Sequence, residues 1–321
     1  MSNLLFFGTA GRWQRTASCV VIASGVATNV KQDSITRERI QEMVTWTPRR
    51  HRLRDWNVLR APSQAGKDWV LQFPFFETLA NLCDASCPVR HVGTKRDQYG
   101  DKRAYTYLKC DDDDEREKVE QWLESIGSYV AIRDCMALSF ALDYEREDGK
   151  PENRQTSIGA LRARAKPYKR APTHDGFAAA EQLVDACMEF LTNVSCYERV
   201  HAVVAMPPSD PAKPFDLPRY LAREIASRWP RDDLSDAVRT VAPRKEMKNL
   251  PLTEKLAALE GTVLVDSAVQ GCNILLVDDL YQSGTSMNYV AMLLREAGAQ
   301  CIFGLALEKT LRNDDNTGGG V

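Results

Sequence analysis

The sequence predicts an α/β protein: a C-terminal parallel-sheet domain of the Rossmann-like kind, joined to a separate N-terminal α+β domain. Three observations carry this. From residue 177 onward, short and nearly all-apolar segments alternate with amphipathic helical segments. That is the pattern of a parallel sheet covered on both faces. The stretch 144–170 is polar, with Gly149, Pro151 and several Arg and Lys, and divides the chain into 1–145 and 146–321. Five of the six tryptophans precede that division, so the two parts differ in composition.

The elements follow in order. Residues 18–26 and 70–76 are apolar and β-branched enough for strands, the second limited by Pro74. Asp111–Asp114 open a helix where its dipole favours acids, and Val119, Trp122, Leu123 and Ile126 fall on one face. In the second part, helices are expected at 177–191, 218–229, 253–260 and 287–297, and strands at 200–206, 238–241, 274–277 and 301–307. From about residue 314 the chain is Gly-rich and expected to be disordered. Ligands of such sheets bind at the carboxyl ends of the strands.

Composition narrows the function classes. The 321 residues suffice for two domains, and 44% hydrophobic with 27% charged residues is a globular balance. A formal net charge of −2 provides no bulk positive field for nucleic acid. No apolar run reaches about 18 residues, so no membrane span is expected. Arg12, Gln14 and Arg15 interrupt the start, which does not read as a secretion signal. Nine scattered cysteines read as reduced thiols in a cytoplasmic protein.

The informative stretch is Asn273-Ile-Leu-Leu-Val-Asp-Asp-Leu-Tyr-Gln-Ser-Gly-Thr-Ser286. A buried strand runs into Asp278 and Asp279, and a short loop then opens a helix. Unpaired N–H groups at a helix start, with the dipole behind them, suit a phosphate. Gly284 is expected to let the backbone approach that phosphate, and Ser283, Thr285 and Ser286 add hydroxyls. The two carboxylates are acceptors and suit a diol. Diol on one side and phosphate on the other describe a ribose 5-phosphate. A Walker B strand would need a G-x-x-x-x-G-K-[ST] partner, which the chain lacks. A receiver domain would place paired acids near the chain start.

This stretch resembles the 5-phosphoribosyl-1-pyrophosphate (PRPP) signature of type I phosphoribosyltransferases. The resemblance implies that Asp278 and Asp279 hold the ribose hydroxyls and that Gln282, Ser283, Gly284, Thr285 and Ser286 hold the 5-phosphate. It extends upstream and is closest to the ComF-like (competence protein) and amidophosphoribosyltransferase-like branch. Thr156-Ser-Ile-Gly-Ala-Leu-Arg-Ala-Arg-Ala-Lys-Pro-Tyr168 is similar to that branch's opening segment. Val203-Val-Ala-Met-Pro-Pro-Ser209 is similar to its first strand and pyrophosphate loop. Arg244-Lys-Glu-Met-Lys-Asn-Leu250 occupies the place of its mobile catalytic loop. By resemblance, Pro207, Pro208, Ser209, Lys245 and Lys248 face the pyrophosphate, with Lys248, Asp278 and Asp279 catalytic. The similarity covers about residues 155–310. An Arg-Gly-Phe-Asn-Gln stretch usual in the branch is replaced by Asp216-Leu-Pro-Arg-Tyr220, and the usual Cys-x-x-Cys zinc ribbon is missing.

The activity implied is Mg²⁺-dependent transfer of phosphoribosyl from PRPP to a nitrogen-containing acceptor. No residue is expected to bind the metal directly; substrate oxygens and water hold it. Residues 206–209 are expected to offer backbone donors to pyrophosphate, and Lys245 and Lys248 to close over it. A homodimer is one expected assembly. The alternatives are a PRPP or nucleotide sensor without turnover, and a ComF-like protein linked to DNA handling.

Other signals weigh less. Cys83, Cys87 and His91 are spaced by four and Cys110 follows, but the spacing fits no common zinc site, so ordinary cysteines without stoichiometric zinc are expected. The run Arg49-Arg50-His51-Arg52-Leu53-Arg54 reads as a solvated basic turn ahead of a phosphate contact. Gly8-Thr-Ala-Gly11 is too weak a signal for a nucleotide loop.

Overall fold

The computed structural model describes residues 30–45, 52–56, 58–64, 66–97, 103–147, 154–166, 170–242 and 250–311. The strand expected at 18–26, Gly8–Gly11, Arg49–His51, Lys245, Lys248 and the Gly-rich tail lie outside them.

The chain opens with helix α1 (Arg37–Thr45), strands β1 (Leu59–Arg60) and β2 (Trp69–Phe73), helix α2 (Glu77–Ser86), strands β3 (Lys95–Arg96) and β4 (Ala104–Leu108), and helix α3 (Asp113–Gly127). The strands form an antiparallel sheet ordered β1-β2-β4-β3. Helix α3 begins as its acids predict. The Asp112 carboxylate accepts from the Glu115 N–H at 2.8 Å, and Glu115 accepts from the Asp111 N–H at 2.9 Å. Val119, Leu123 and Ile126 are its buried face.

Strands β5 (Val130–Ala131) and β6 (Leu138–Tyr144) follow, then helices α4 (Ser157–Ala165) and α5 (His174–Asn193), β7 (Ala202–Ala205), α6 (Leu217–Arg228), β8 (Asp232–Asp233) and β9 (Val238–Thr240). The chain continues with α7 (Leu252–Leu259), β10 (Val263–Val265), β11 (Asn273–Tyr281), α8 (Thr285–Glu296) and β12 (Cys301–Lys309). The main sheet is ordered β5-β6-β12-β11-β7-β8 and is parallel except for the β5–β6 pair.

Its central strands β6, β12, β11 and β7 are largely apolar because both faces are covered. Alternate residues enter two cores. Leu275, Val277, Phe303, Leu305, Val203 and Phe140 pack with α2, α3, α5 and α6. Ile274, Leu276, Ile302, Val204 and Ala141 pack with α1, α7 and α8. Each such aliphatic side chain contributes about 1.5–3 kcal/mol by leaving water.

One expected strand is placed elsewhere, and two strands that were not expected join the main sheet. The strand at 238–241 is β9, which pairs antiparallel with β10 outside the main sheet. The two-residue β8 takes the edge place, and its charged Asp232–Asp233 gave no strand signal. β6, with six of seven residues buried, is a full member of the parallel sheet and pairs with β12. It lies before the division expected at 145/146. One apolar core includes both Leu53 and Leu307, so the main sheet and this core draw on both sides of that point.

Candidate functional site

The strand order creates the site. From β7 the chain passes through α6 to β8 on one side, and from β11 through α8 to β12 on the other. Right-handed crossovers in opposite directions put α6 and α8 on opposite faces. The carboxyl ends of β7 and β11 therefore flank a topological switch point, where α/β sheets bind ligands.

β11 runs further than its apolar segment predicts. It pairs with β12 as far as Tyr281↔Lys309, but with β7 only to Val277↔Ala205. Beyond Val277 one edge of β11 is open to the crevice, and Asp278 and Asp279 stand there. The Asp279 N–H donates to Asp278 Oδ1 at 2.8 Å. Asp279 is buried and ion-paired with Lys166 Nζ, and Arg162 Nη1 lies 3.6 Å from it. Asp278 is half-buried. Burial, and then the charge of Asp279, push its carboxyl above the usual carboxylate range.

Arg162 and Lys166 are positions that motif and spacing do not single out. They lie one helical turn apart at the end of α4, so both reach the crevice. Arg162 also binds Glu308 on β12, which is fully buried. Burial outweighs the arginine and pushes Glu308 up to about 7. Asp216 begins α6 without capping it, and its Oδ2 is buried with no hydrogen-bond partner. Burial, then Asp279, raise it to about 6, while Lys166 pulls it down.

The loop after β11 is held from below. Gly284 begins α8 at φ +77°, a left-handed conformation that favours glycine. A Cβ there would fall within 2.6 Å of the Tyr281 ring carbon Cζ. Glycine is therefore required here by Tyr281 and by φ. The Asn288 amide donates to Tyr281 Oη at 3.1 Å and to Gly284 O at 2.9 Å, and its Oδ1 accepts from the Cys135 N–H at 2.9 Å. Thr285 is buried with its hydroxyl 3.2 Å from that of Ser283, whereas Gln282, Ser283 and Ser286 are half-buried at the rim.

Asp134 completes this network. It is buried, and its Oδ1 accepts from the Met136 N–H at 2.9 Å. Burial raises it to about 7. The folded state keeps this proton up to about that pH, while an unfolded Asp releases it near 4. Between those values the folded state binds more protons, so stability falls as pH rises through the window. Asp134→Asn is expected to remove roughly 2–4 kcal/mol of that fall. Urea unfolding of both proteins from pH 4 to 8 checks it, and parallel curves would exclude the assignment.

On the β7 side the structure removes expected donors. The Met206 N–H donates to Val277 O at 2.8 Å. Pro207 and Pro208 have no N–H. Of residues 206–209 only the Ser209 amide can serve a pyrophosphate. Pro208 O accepts from the Thr240 hydroxyl at 2.6 Å, and Ser209 Oγ accepts from Lys213 Nζ at 3.3 Å. Arg52 of the basic run is turned inward onto Asp143, Ser128 O and the Tyr144 ring, and does not form a solvated turn. Among the described residues no helix is long and apolar enough to cross a membrane.

No family model and no curated protein matches the chain significantly. Among solved structures it is similar to a hypoxanthine phosphoribosyltransferase from Staphylococcus aureus, with 12% identity and a TM-score of 0.27. That match covers 40% of this chain and 64% of the other, under two thirds of that relative's length. A likeness of this size carries no argument, and the site stands on its own geometry.

Proposed function

We propose that the chain is a Mg²⁺-dependent phosphoribosyltransferase that uses PRPP as donor and a nitrogen-containing compound as acceptor. One observation carries the reading. At the switch point, a carboxylate pair on β11 stands one short loop before the N-terminus of α8, whose first-turn N–H groups lack intrahelical partners. The pair suits ribose hydroxyls, and the helix start with Gln282, Ser283, Thr285 and Ser286 suits the 5-phosphate.

In the reaction the acceptor nitrogen bonds to C1 of the ribose, the C1–O bond breaks, pyrophosphate departs and the nitrogen loses its proton. Asp278 and Asp279 orient the sugar by accepting from its hydroxyls. Lys166 is partly exposed and can pass from Asp279 to the anionic donor. Asp216, with its unpartnered oxygen, is the group suited to take the acceptor proton. Lys248 and Lys245, in the sequence between β9 and α7, are the cations assigned to the pyrophosphate by the resemblance. Among the described residues no group of three or more His, Cys, Asp or Glu is arranged to hold a metal. Asp278 and Asp279 would hold a Mg²⁺ through its waters, and such an ion would offset charge on the leaving group.

A second reading, a PRPP-binding sensor without turnover, is favoured by Pro207 and Pro208, which deprive the leaving-group loop of amide donors. Lys248→Ala separates the two. In an enzyme it is expected to lower turnover about 100-fold while changing PRPP affinity less than about threefold, because a lid lysine acts mainly as charge builds in the transition state. Calorimetric PRPP binding beside pyrophosphate release, with bases and with water as acceptors, provides both numbers. Tight binding by wild type with no pyrophosphate released by any acceptor would establish the sensor. No PRPP binding at all would exclude both readings.

A further inference from the structure

We propose that the outer face of the β1-β2-β4-β3 sheet binds single-stranded nucleic acid, with bases stacked on Tyr105 and Tyr107 and phosphates held by Arg60, Lys95 and Arg90. None of these residues is used by the ribose-phosphate reading. The sheet has two unlike faces because its side chains alternate. On the inner side Leu71 and Phe73 of β2 and Ala104 and Leu108 of β4 enter the apolar core that also takes Val119 and Leu123 of α3. The intervening Val70, Gln72, Tyr105 and Tyr107 point the other way and belong to neither core.

Strand register fixes what stands beside the two rings. Residues directly opposite each other on antiparallel strands lie on one face. Lys95 is opposite Tyr105, which is opposite Gln72. Tyr107 is opposite Val70, which is opposite Arg60. The His91–Leu108 bridge puts Arg90 opposite Lys109, one row further along β4. Arg60, Lys95 and Arg90 are exposed and make no ion pair among the described residues. Lys109 binds Asp68 in its own row, so that acid is already neutralised. The whole chain carries a formal charge of −2, and the cations gathered around these tyrosines are therefore a local bias of one face.

Rings and cations together select the ligand. Tyr107 is 38% exposed, and its ring meets that of Tyr105 edge to face with centroids 5.6 Å apart. Neither hydroxyl has a hydrogen-bond partner among the described residues, so each ring can turn its face to a base. Aromatic side chains two positions apart on a central strand stand about 7 Å from each other, and open sheets use them to seat successive unpaired bases. A duplex hides the faces of its bases in its own stack and offers these rings nothing. The flanking cations meet the phosphates on either side, and the Gln72 amide beside Tyr105 can donate to and accept from a base edge. An acidic protein surface would engage the cations and leave the two rings without a partner.

The full chain is titrated into fluorescein-labelled oligouridylate, oligodeoxythymidylate and a duplex of the same length, with anisotropy as the readout over a range of salt concentrations. Both single strands are expected to bind at least about tenfold tighter than the duplex, and the tighter of the two tells RNA from DNA. Tyr105→Ala and Tyr107→Ala should each weaken single-strand binding about tenfold. Tyr105→Phe and Tyr107→Phe should keep it within about twofold, because stacking needs the ring and not the hydroxyl. Lys95→Gln, at an exposed edge where folding is not at stake, should reduce the slope of log affinity against log salt by about 0.7. Equal affinity for duplex and single strand, alanine variants that bind as wild type does, or no binding of either single strand would overturn the proposal. So would a dimer in sedimentation that Tyr107→Ala dissolves, since a second copy of the chain would then occupy the face.

Discussion

Asp278→Asn with Asp279→Asn is expected to weaken PRPP binding by at least about 100-fold and to leave the protein folded. Each carboxylate would accept charge-assisted hydrogen bonds from ribose hydroxyls, and such bonds contribute about 1.5–3 kcal/mol apiece. Losing both corresponds to about two to four powers of ten in affinity. The fold should survive for different reasons at the two positions. Asp278 is held above its ordinary pKa by burial, so its charge opposes folding and an amide relieves that. Asp279 loses its ion pair with Lys166, but Lys166 is partly exposed and can turn to water, and Arg162 keeps Glu308. A net cost near 1 kcal/mol follows, typical of partly exposed pairs. Thermal unfolding with and without PRPP and Mg²⁺ checks both halves. Wild type at 100 times its Kd gains about 2.7 kcal/mol and the double variant should gain none. Undiminished stabilisation of the variant by PRPP would remove the carboxylates from the site, and global unfolding would make them structural.

Gly284→Ala is expected to destabilise the protein by about 3 kcal/mol or more and to weaken PRPP binding at least tenfold. An alanine at φ +77° costs about 1–2 kcal/mol in backbone strain alone. Its methyl group also meets the Tyr281 ring, which must leave its place and surrender the hydrogen bond from Asn288. That bond is worth about 0.5–1.5 kcal/mol, and the displaced ring leaves poor packing behind it. The loop before α8 would then lose the geometry that presents its amides. The control is Tyr281→Ala. If ring and methyl group compete for one space, the double variant is less unstable than the sum of the singles. Additive costs in urea unfolding would show that strain at residue 284 acts alone.

What could be read from the sequence was local. The apolar run of β11, the small and hydroxyl residues after it and the amphipathic α8 lie within about two dozen residues, and their spacing in the chain nearly determines their spacing in the fold. The same holds for the capping acids of α3 and for Pro207 and Pro208, whose missing N–H groups follow from residue type alone. The glycine at 284 was recognised by its loop, but the further demand for it, the ring of Tyr281 beneath, was not.

Only the tertiary structure decided which distant groups meet there. Lys166 reaches Asp279 across 113 residues, and Asn288 reaches the Cys135 amide across 153. β6 carries no alternation because both its faces are buried, so nothing in its seven residues says which sheet it joins. The placement of β9 outside the main sheet, with a charged two-residue strand at the edge instead, is likewise set by pairing and not by composition. Asp134, Glu308 and Asp216 look like ordinary acids in the sequence. Burial gives them raised pKa values, and burial belongs to the packed chain as a whole. The sequence by itself determined a carboxylate pair, a tight loop and a helix start. The order of the strands, which opens a crevice between β7 and β11 and brings α4's basic pair onto Asp279, came from contacts between segments far apart in the chain.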